Sequence, residues 1–220
     1  MPIPARVSPT LVRVKRTSYH HGDLRATLMD ASLRLIESEG LAAVSLRRVA
    51  REAGVSSGAP YHHFADRAAL LSALSIDGFQ QLASYMRTAR ATTPDPLAAL
   101  TELGAAYVRF SRDHPAQFRL MFRPELSQPE KHPDAHVAGD AAFNVLVDTV
   151  TECVAVGAIP ADRAETLAVA WWGLAHGLAS LWLDGHLEKR SEQMGTHAPE
   201  LVDTIMHTFT ALITPGPPRA

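Results

Sequence analysis

Ser45 to Phe64 reads SLRRVAREAGVSSGAPYHHF, a segment in which two short helical patterns flank a glycine. Its first half carries apolar residues at i, i+3, i+4 and i+7, which give a helix one buried face: Leu46, Val49, Ala50 and Ala53. Ser45 is placed to cap this helix, and Ala53-Gly54-Val55 predicts a turn at its end. With a second short helix after the turn, the stretch predicts a helix-turn-helix, the layout with which many proteins bind the major groove of DNA.

The second helix of this motif begins with small residues. Ser56 or Ser57 can cap it, and Pro60 favours Ser57 because a proline is tolerated only in the first turn of a helix. Small residues at a helix N-terminus let the backbone approach phosphates or base edges closely. The predicted DNA contacts of the motif are Ser45, Arg47, Ser56, Ser57, Gly58, Ala59, Tyr61, His62 and His63.

Helical spacing continues on both sides of the motif. Upstream, apolar residues repeat from a cap at Asp23 to a stop at Gly40: Leu24, Leu28, Ala31 and Leu35. Downstream, Asp66 can cap a helix that carries Leu70, Leu71 and Leu74. Helices are also predicted over residues 97–112, 114–122, 135–156, 162–184 and 199–213, with no β-type alternation of useful length, so the predicted fold class is all-α.

Four regions follow from this pattern. Residues 1–19 are a flexible N-terminal arm, either disordered or a solvated tail without a role, and residues 20–67 are the helix-turn-helix DNA-binding domain. Residues 68–214 form a larger helical domain for regulation and dimerisation, and residues 215–220 form a C-terminal tail.

Two segments resemble a known family. The N-terminal domain of TetR-type transcriptional regulators closely resembles YHHGDLRATLMDASLRLIESEGLAAVSLRRVAREAGVSSGAPYHHFADRAALL, and the Trp-His-Gly type of C-terminal regulatory domain resembles AWWGLAHGLASLWLDG. Pro60 departs from the branched aliphatic residue common in that family, and the Trp-His-Gly motif is split by intervening residues. The resemblance implies that Tyr61, His63 and Arg67 hold phosphates, whereas positions 57–59 and His62 face bases.

Charge and cysteine content agree with a DNA-binding protein of the cytoplasm. Residues 1–67 hold 10 Lys and Arg against 6 Asp and Glu, a balance of +4, so the formal net charge of −2 leaves −6 for residues 68–220. The basic end is attracted to phosphate and the acidic body is repelled from it. The single Cys153 excludes an internal disulfide, and no apolar run predicts a signal peptide or a membrane helix. A cytoplasmic protein without a membrane partner is expected.

The helix around the tryptophan pair is apolar nearly all round, which places it in a core or an interface. One of its stripes consists of small residues 3, 4 and 3 apart: Ala170, Gly173, Gly177 and Ser180. The opposite stripe is bulky: Trp171, Ala175, Leu178 and Trp182. We expect the small stripe to meet a second subunit and the bulky stripe to fill the core, which gives a homodimer; packing of both stripes inside one monomer is the alternative.

Aromatic and soft side chains predict a ligand site in the larger domain, although each is also compatible with an ordinary core position: Tyr107, Phe110, Phe118, Met121, Phe122 and Trp172, near His176. Such a site suits a small, mainly apolar effector with one polar contact at His176. The predicted function is a regulator, in the form of a repressor, that binds a palindromic operator and is released by that effector.

Two other classes of protein remain as alternatives. A non-regulatory DNA-binding protein would need no effector and would show little sequence preference. A metal-dependent enzyme could use His132 and His136, but Pro133 lies between them and no third ligand is obvious. P-loop and Cys-x-x-Cys motifs are absent from the sequence, and no Ser, His and Asp residues occur in a recognisable catalytic setting. The sequence therefore predicts no enzymatic activity, no cofactor and no metal.

Overall fold

A computed structural model describes residues 24–123 and 133–214 of the chain. Within these ranges the chain forms α-helices and three short 3-10 helices, with no strand, so the all-α prediction is confirmed. The predicted N-terminal arm, the cap at Asp23, His132 and the C-terminal tail lie outside the described residues.

The helices follow one another in the order α1 Leu24–Glu39, α2 Leu46–Glu52, α3 Arg67–Thr92, α4 Pro96–Asp113, α5 Pro115–Met121, α6 Asp134–Ala155, α7 Ala164–Leu183, α8 His186–Gln193 and α9 Ala198–Ile213. The 3-10 helices are Leu41–Ala43, Ala59–His62 and Ala161–Arg163. Helix α8 was not predicted, because its sequence HLEKRSEQ is polar and only Leu187 and Ser191 are buried. The apolar pattern of this short helix is too brief to predict a helix, so its packing against the rest of the fold determines its structure.

Two apolar cores organise these helices. The N-terminal head, residues 24–74, buries the predicted stripe of α1 together with Val49 and Phe64. Leu70, Leu71 and Leu74 of α3 belong to the same core, so the head extends past the predicted boundary at residue 67. The C-terminal body, residues 75–214, buries a larger cluster around Trp171.

Helices α3 and α5 contribute to both cores. The first half of α3 lies in the head, whereas Leu82 and Met86 in its second half lie in the body. On α5, Leu120 packs in the head and the next residue, Met121, packs in the body. The two units therefore share continuous secondary structure rather than a flexible linker.

Polar contacts fix the helices of the body against one another. The indole of Trp171 on α7 donates to the carbonyl of Leu100 on α4 at 3.1 Å, and both groups are buried. The buried hydroxyls of Thr101 and Thr210 are hydrogen-bonded at 3.0 Å and join α4 to α9. A buried polar group without a partner would cost about 1–3 kcal/mol, so these pairs define how the helices dock.

Candidate functional site

The first helix of the helix-turn-helix forms as predicted. Ser45 precedes α2, and its hydroxyl accepts a hydrogen bond from the backbone N–H of Arg48 at 3.3 Å. The turn closes through the N–H of Val55, which donates to the carbonyl of Ala50 at 2.9 Å. Gly54 has φ +69°, a left-handed conformation that a β-carbon disfavours, so the turn needs a glycine there.

The second helix differs from the prediction. It is a four-residue 3-10 helix, Ala59–His62, and Gly58 rather than Ser57 occupies the cap position without a side-chain hydrogen bond. Pro60 has no N–H to donate, and its neighbours use i→i−3 bonds: Tyr61 N–H to the Gly58 carbonyl at 3.2 Å and His63 N–H to the Pro60 carbonyl at 3.0 Å. The proline ring is also buried, which ties this element to the head.

Most of the predicted DNA contacts lie together on the surface of this element. Exposed residues at or beside it are Ser56, Ser57, Gly58, Tyr61, His62 and His63, with Arg47 exposed on α2. Ala59 and Ser45 are half-buried. The resulting surface is polar and uncrowded, as a groove-binding element requires.

Gly58 is not required by the fold of the head. Its φ of −85° suits any residue, and a β-carbon built on it would meet nothing within 4 Å. The absence of a side chain therefore leaves free space on the outer surface, where a molecule could approach the backbone closely.

Arg67 occupies a different environment from the one that the family resemblance implies. Its Nε donates to the carbonyl of Val44 at 2.8 Å, and its Nη2 donates to the carbonyl of Leu41 at 2.9 Å. These bonds tie the start of α3 to the segment that precedes Ser45, so Arg67 orients α2 from within the head. Two of its five donors are thus unavailable to phosphate.

Ion pairs also brace α1 against α2. Arg48 pairs with Glu39, and Arg34 pairs with Glu52 at 3.2 Å. Arg47 is exposed and forms no ion pair with the described residues. Arg51 is likewise exposed and forms no ion pair with the described residues, so α2 offers two cations to DNA, Arg47 and Arg51.

A large cavity of about 480 Å³ lies in the body, between α3, α4, α6 and α7 and the end of α5. Four of the seven predicted ligand residues line it: Tyr107, Met121, Phe122 and Trp172. The sequence-based prediction missed the contribution of α3 and α6, which includes Ser75, Phe79, Met86, His136, Asp140 and Phe143. The apolar periodicity of those helices was visible, but which face met a cavity depends on packing between distant segments.

Three predicted ligand residues lie elsewhere. Phe110 is fully buried and packs on the rings of Tyr85 and His114, with centroids 5.5 and 5.0 Å away. Phe118 and His176 line a separate small cavity of about 300 Å³ on the far side of Phe122. Aromatic character alone does not distinguish a ligand wall from a core position, so a ligand-binding role for these three residues stays a prediction.

His176 is connected to the large cavity through a hydrogen bond to one of its lining residues. Its Nδ1 is hydrogen-bonded to the hydroxyl of Tyr107 at 3.0 Å, and Tyr107 lines the large cavity. Burial raises the pKa of Tyr107 far above its ordinary value and lowers the pKa of His176. Both side chains are therefore neutral near pH 7, and the pair fixes the orientation of the phenol in the cavity wall.

The small-residue stripe of α7 is open. Ala170 and Gly173 are exposed, Gly177 and Ser180 are half-buried, and a β-carbon on either glycine would meet nothing within 4 Å. The bulky stripe faces inwards, since Trp171, Ala175 and Leu178 are buried and Trp182 is half-buried. Large apolar side chains beside the stripe on α7 are exposed as well, Val169 by 57% and Leu181 by 45%, and on α9 Leu212 is exposed by 78%. The small stripe is not packed inside this monomer.

The same helix is the one segment among the described residues, Ala161–Leu183, whose length and apolar composition would suffice to cross a membrane. Core helices of globular proteins pass the same test, but only 28% of this window is buried in the structure. No group of three His, Cys, Asp or Glu side chains in residues 24–123 and 133–214 is arranged to hold a metal ion.

Models of known protein families match segments in both the head and the body. Residues 28–74 match the family described as bacterial regulatory proteins, tetR family, and residues 100–209 match the family described as tetracyclin repressor-like, C-terminal domain. The chain therefore belongs to the TetR family of bacterial transcriptional regulators. It is a DNA-binding regulator and not an enzyme, which excludes the metal-dependent alternative. Regulators of this family bind DNA operators and small-molecule effectors and form dimers. The finer assignment to the Trp-His-Gly type stays a prediction.

Individual relatives are similar over most of the chain. The HTH-type transcriptional regulator BetI of Paraburkholderia xenovorans is 37% identical over 167 residues, which cover 74% of this chain and 82% of BetI. The HTH-type transcriptional regulator AcrR of Shigella flexneri is 26% identical over 178 residues, which cover 77% of this chain and 82% of AcrR. A solved structure of a protein with unknown function from Rhodococcus sp. RHA1 is 34% identical, has a TM-score of 0.78, and covers 90% of this chain and 100% of its own.

Proposed function

We propose that this regulator is a repressor that binds a palindromic operator as a homodimer and leaves it when a small, mainly apolar effector fills the large cavity. One observation carries the proposal: two helices that border the cavity, α3 and α5, also build the core of the DNA-binding head. We also propose a cytoplasmic location, which agrees with the binding of operator DNA.

Helix α5 is the shorter connection from the cavity to the head. Met121 lines the cavity, and the adjacent Leu120 is buried in the core of the head. Gln117, one turn earlier, donates from its side-chain amide to the carbonyl of Leu74 at 3.1 Å and to Asp77 at 2.8 Å. An effector that displaces Met121 therefore moves a helix that is bonded to α3 and packed against α1.

The effector acts only if it prefers the conformation that does not fit the operator. A preference of about 100-fold corresponds to about 2.7 kcal/mol per site, and two sites in a dimer together give about 10,000-fold, which is enough to empty an operator. Because the shared core is closely packed and cannot deform gradually, we expect the protein to switch between two distinct conformations.

The open stripe of α7 supports the dimer. Glycine in the middle of a helix costs about 1 kcal/mol relative to alanine, and the chain's own packing offers no compensation at Gly173 or Gly177. Close approach of a second α7 would provide it, and the exposed Val169, Leu181 and Leu212 would then be buried. One head with a four-residue 3-10 helix buries too little surface for tight specific binding, so two copies are needed.

Within each head, positions 57–59 and His62 face bases, while Tyr61 and His63 contact phosphates. Arg47 adds a cation beside them. This division predicts that His62 affects sequence preference, whereas the phosphate contacts affect the affinity for all sequences equally.

Selection of bound sequences from a random pool of duplex DNA tests the proposal. We expect a palindrome with half-sites about one helical turn apart or a modest multiple of it. Recovery of unrelated sequences would instead indicate a non-regulatory DNA-binding protein. A ligand screen by tryptophan fluorescence then follows, with release of the selected operator as the second measurement. A compound that binds in the cavity and leaves operator affinity unchanged would contradict the coupling.

A further inference from the structure

The large cavity has an uneven distribution of charge. Among the described residues that line it, Asp140 is the one carboxylate, and none is Lys or Arg. His136 lies one helical turn before Asp140 on α6, and both are exposed. The charge of the cavity wall therefore favours a positively charged ligand group beside Asp140.

Depth divides the cavity into a polar mouth and an apolar interior. The exposed His136 and Asp140 form part of the mouth. Tyr107, Leu146 and Trp171 are buried at its inner end, each no more than 2% exposed. A molecule that satisfies both ends has a polar head and an apolar tail.

Aromatic rings near the mouth favour a cationic head over an anionic one. The rings of Phe143 and Trp172 meet edge to face with centroids 6.1 Å apart, and those of Phe79 and Phe122 do so at 5.5 Å. The faces of such rings attract ammonium groups and repel carboxylates. A buried anion would find no cationic partner here among the described residues, which makes its desolvation expensive.

Arg119 and Arg123 do not line the large cavity. Arg119 and Arg123 border the small cavity, which Phe122 separates from the large one. The guanidinium of Arg119 donates to the carbonyl of Leu183 at 2.6 Å and pairs with Asp184 at 3.5 Å. Its charge is already balanced.

We propose that the effector is an organic cation with an apolar tail, whose ammonium head lies against Asp140 at the mouth of the large cavity. This inference rests on the proposed function, because it assigns the chemical class of the effector for that same cavity. The tail fills the interior beside Trp171, and the head stays partly hydrated.

Three probes with one ten-carbon tail and different heads test the charge preference: decyltrimethylammonium, 1-decanol and decanoate, each below the concentration at which it forms micelles. Binding is followed by fluorescence of the cavity tryptophans and by calorimetry on the full chain. We expect the cation to bind about tenfold or more tightly than decanoate, with decanol between them. Operator release should follow the same order.

The Asp140→Asn variant keeps the shape of the side chain and removes its charge. It should weaken binding of decyltrimethylammonium about fivefold and leave decanol unchanged. Asp148→Asn is the matched control, because Asp148 is an exposed carboxylate on α6 that does not line the cavity. That variant should leave all three affinities unchanged.

The possible failures are distinguishable. Decanoate binding as tightly as the cation, or an unchanged cation affinity in Asp140→Asn, would overturn the cationic effector and leave the regulatory proposal standing. If none of the three probes bound to the wild-type protein, the ligand-binding role of the cavity and the cationic class would both be refuted.

Discussion

Replacing Gly173 or Gly177 with leucine should separate folding from dimerisation. Both positions lie in the middle of α7, and a β-carbon at either would meet nothing within 4 Å in the monomer. Leucine removes the conformational cost of glycine, so each variant should stabilise the monomer fold by about 0.5–1 kcal/mol. The same side chain should obstruct close approach of a second α7.

The magnitude at the interface follows from symmetry. In a two-fold dimer each substitution occurs twice, and overpacking costs about 1–3 kcal/mol per site. The dimer should therefore be destabilised by about 2–6 kcal/mol, which raises its dissociation constant about 30-fold to about 20,000-fold. Operator affinity should fall with it, because two heads are no longer joined.

Sedimentation equilibrium measures the dissociation constant, circular dichroism verifies the helical fold, and titration with labelled operator measures DNA binding. Ala141→Leu is the control, since it adds the same surface to an exposed position on α6. Wild-type dimerisation in both glycine variants would remove the α7 stripe from the interface and refute the argument from open glycines. Unfolded variants would contradict the monomer geometry itself.

Four other predictions concern the head and the buried pair. Gly58→Ala should change the free energy of unfolding by less than about 0.5 kcal/mol and still weaken operator binding, because its β-carbon meets only external space. His62→Ala should alter base preference in a repeated selection from random DNA, and an unchanged consensus would contradict the assignment of His62 to a base contact. Arg67→Ala should lower the free energy of unfolding by about 1–3 kcal/mol through loss of its two carbonyl bonds, whereas unchanged stability with a salt slope lower by about one unit would indicate a phosphate contact instead. Burial lowers the pKa of His176, so the unfolded chain binds a proton at a pH where the folded chain does not, and the free energy of unfolding should fall as pH drops below about 6.5. Urea titrations of the wild type and His176→Gln between pH 5 and 8 measure this, with Tyr107→Phe as a control that retains the histidine. Equal pH dependence in the wild type and His176→Gln would refute the prediction.

Features that depend on neighbouring residues could be predicted from the sequence. Ser45 bonds to an N–H three residues later, and Asp66 does the same at the start of α3, at 2.8 Å. The two stripes of α7 also follow from helix geometry alone, which fixes the sides of a helix irrespective of its surroundings. Such features need no knowledge of how distant segments pack.

The large cavity depends on distant segments and could be predicted only in part. Phe79 on α3 and Phe143 on α6 both line it, although nothing in their spacing relates them. His176 lies close to Trp172, as their spacing on α7 indicates, with ring centroids 6.1 Å apart, yet Tyr107 stands between the histidine and the cavity. Periodicity identifies the face of a helix, and only packing decides what that face meets.

Glycines show how far the fold alone explains the sequence. Gly78 is needed inside the body, since a β-carbon there would lie 2.9 Å from Cγ of Gln117, and Gly54 is needed for a left-handed turn. Gly58, Gly173 and Gly177 satisfy neither condition: none has a positive φ, and a β-carbon on any of them would meet open space. Alanine would be the better residue for the isolated chain at the two helical positions. Their small size is therefore best explained by molecules outside the monomer, DNA at the head and a second subunit along α7.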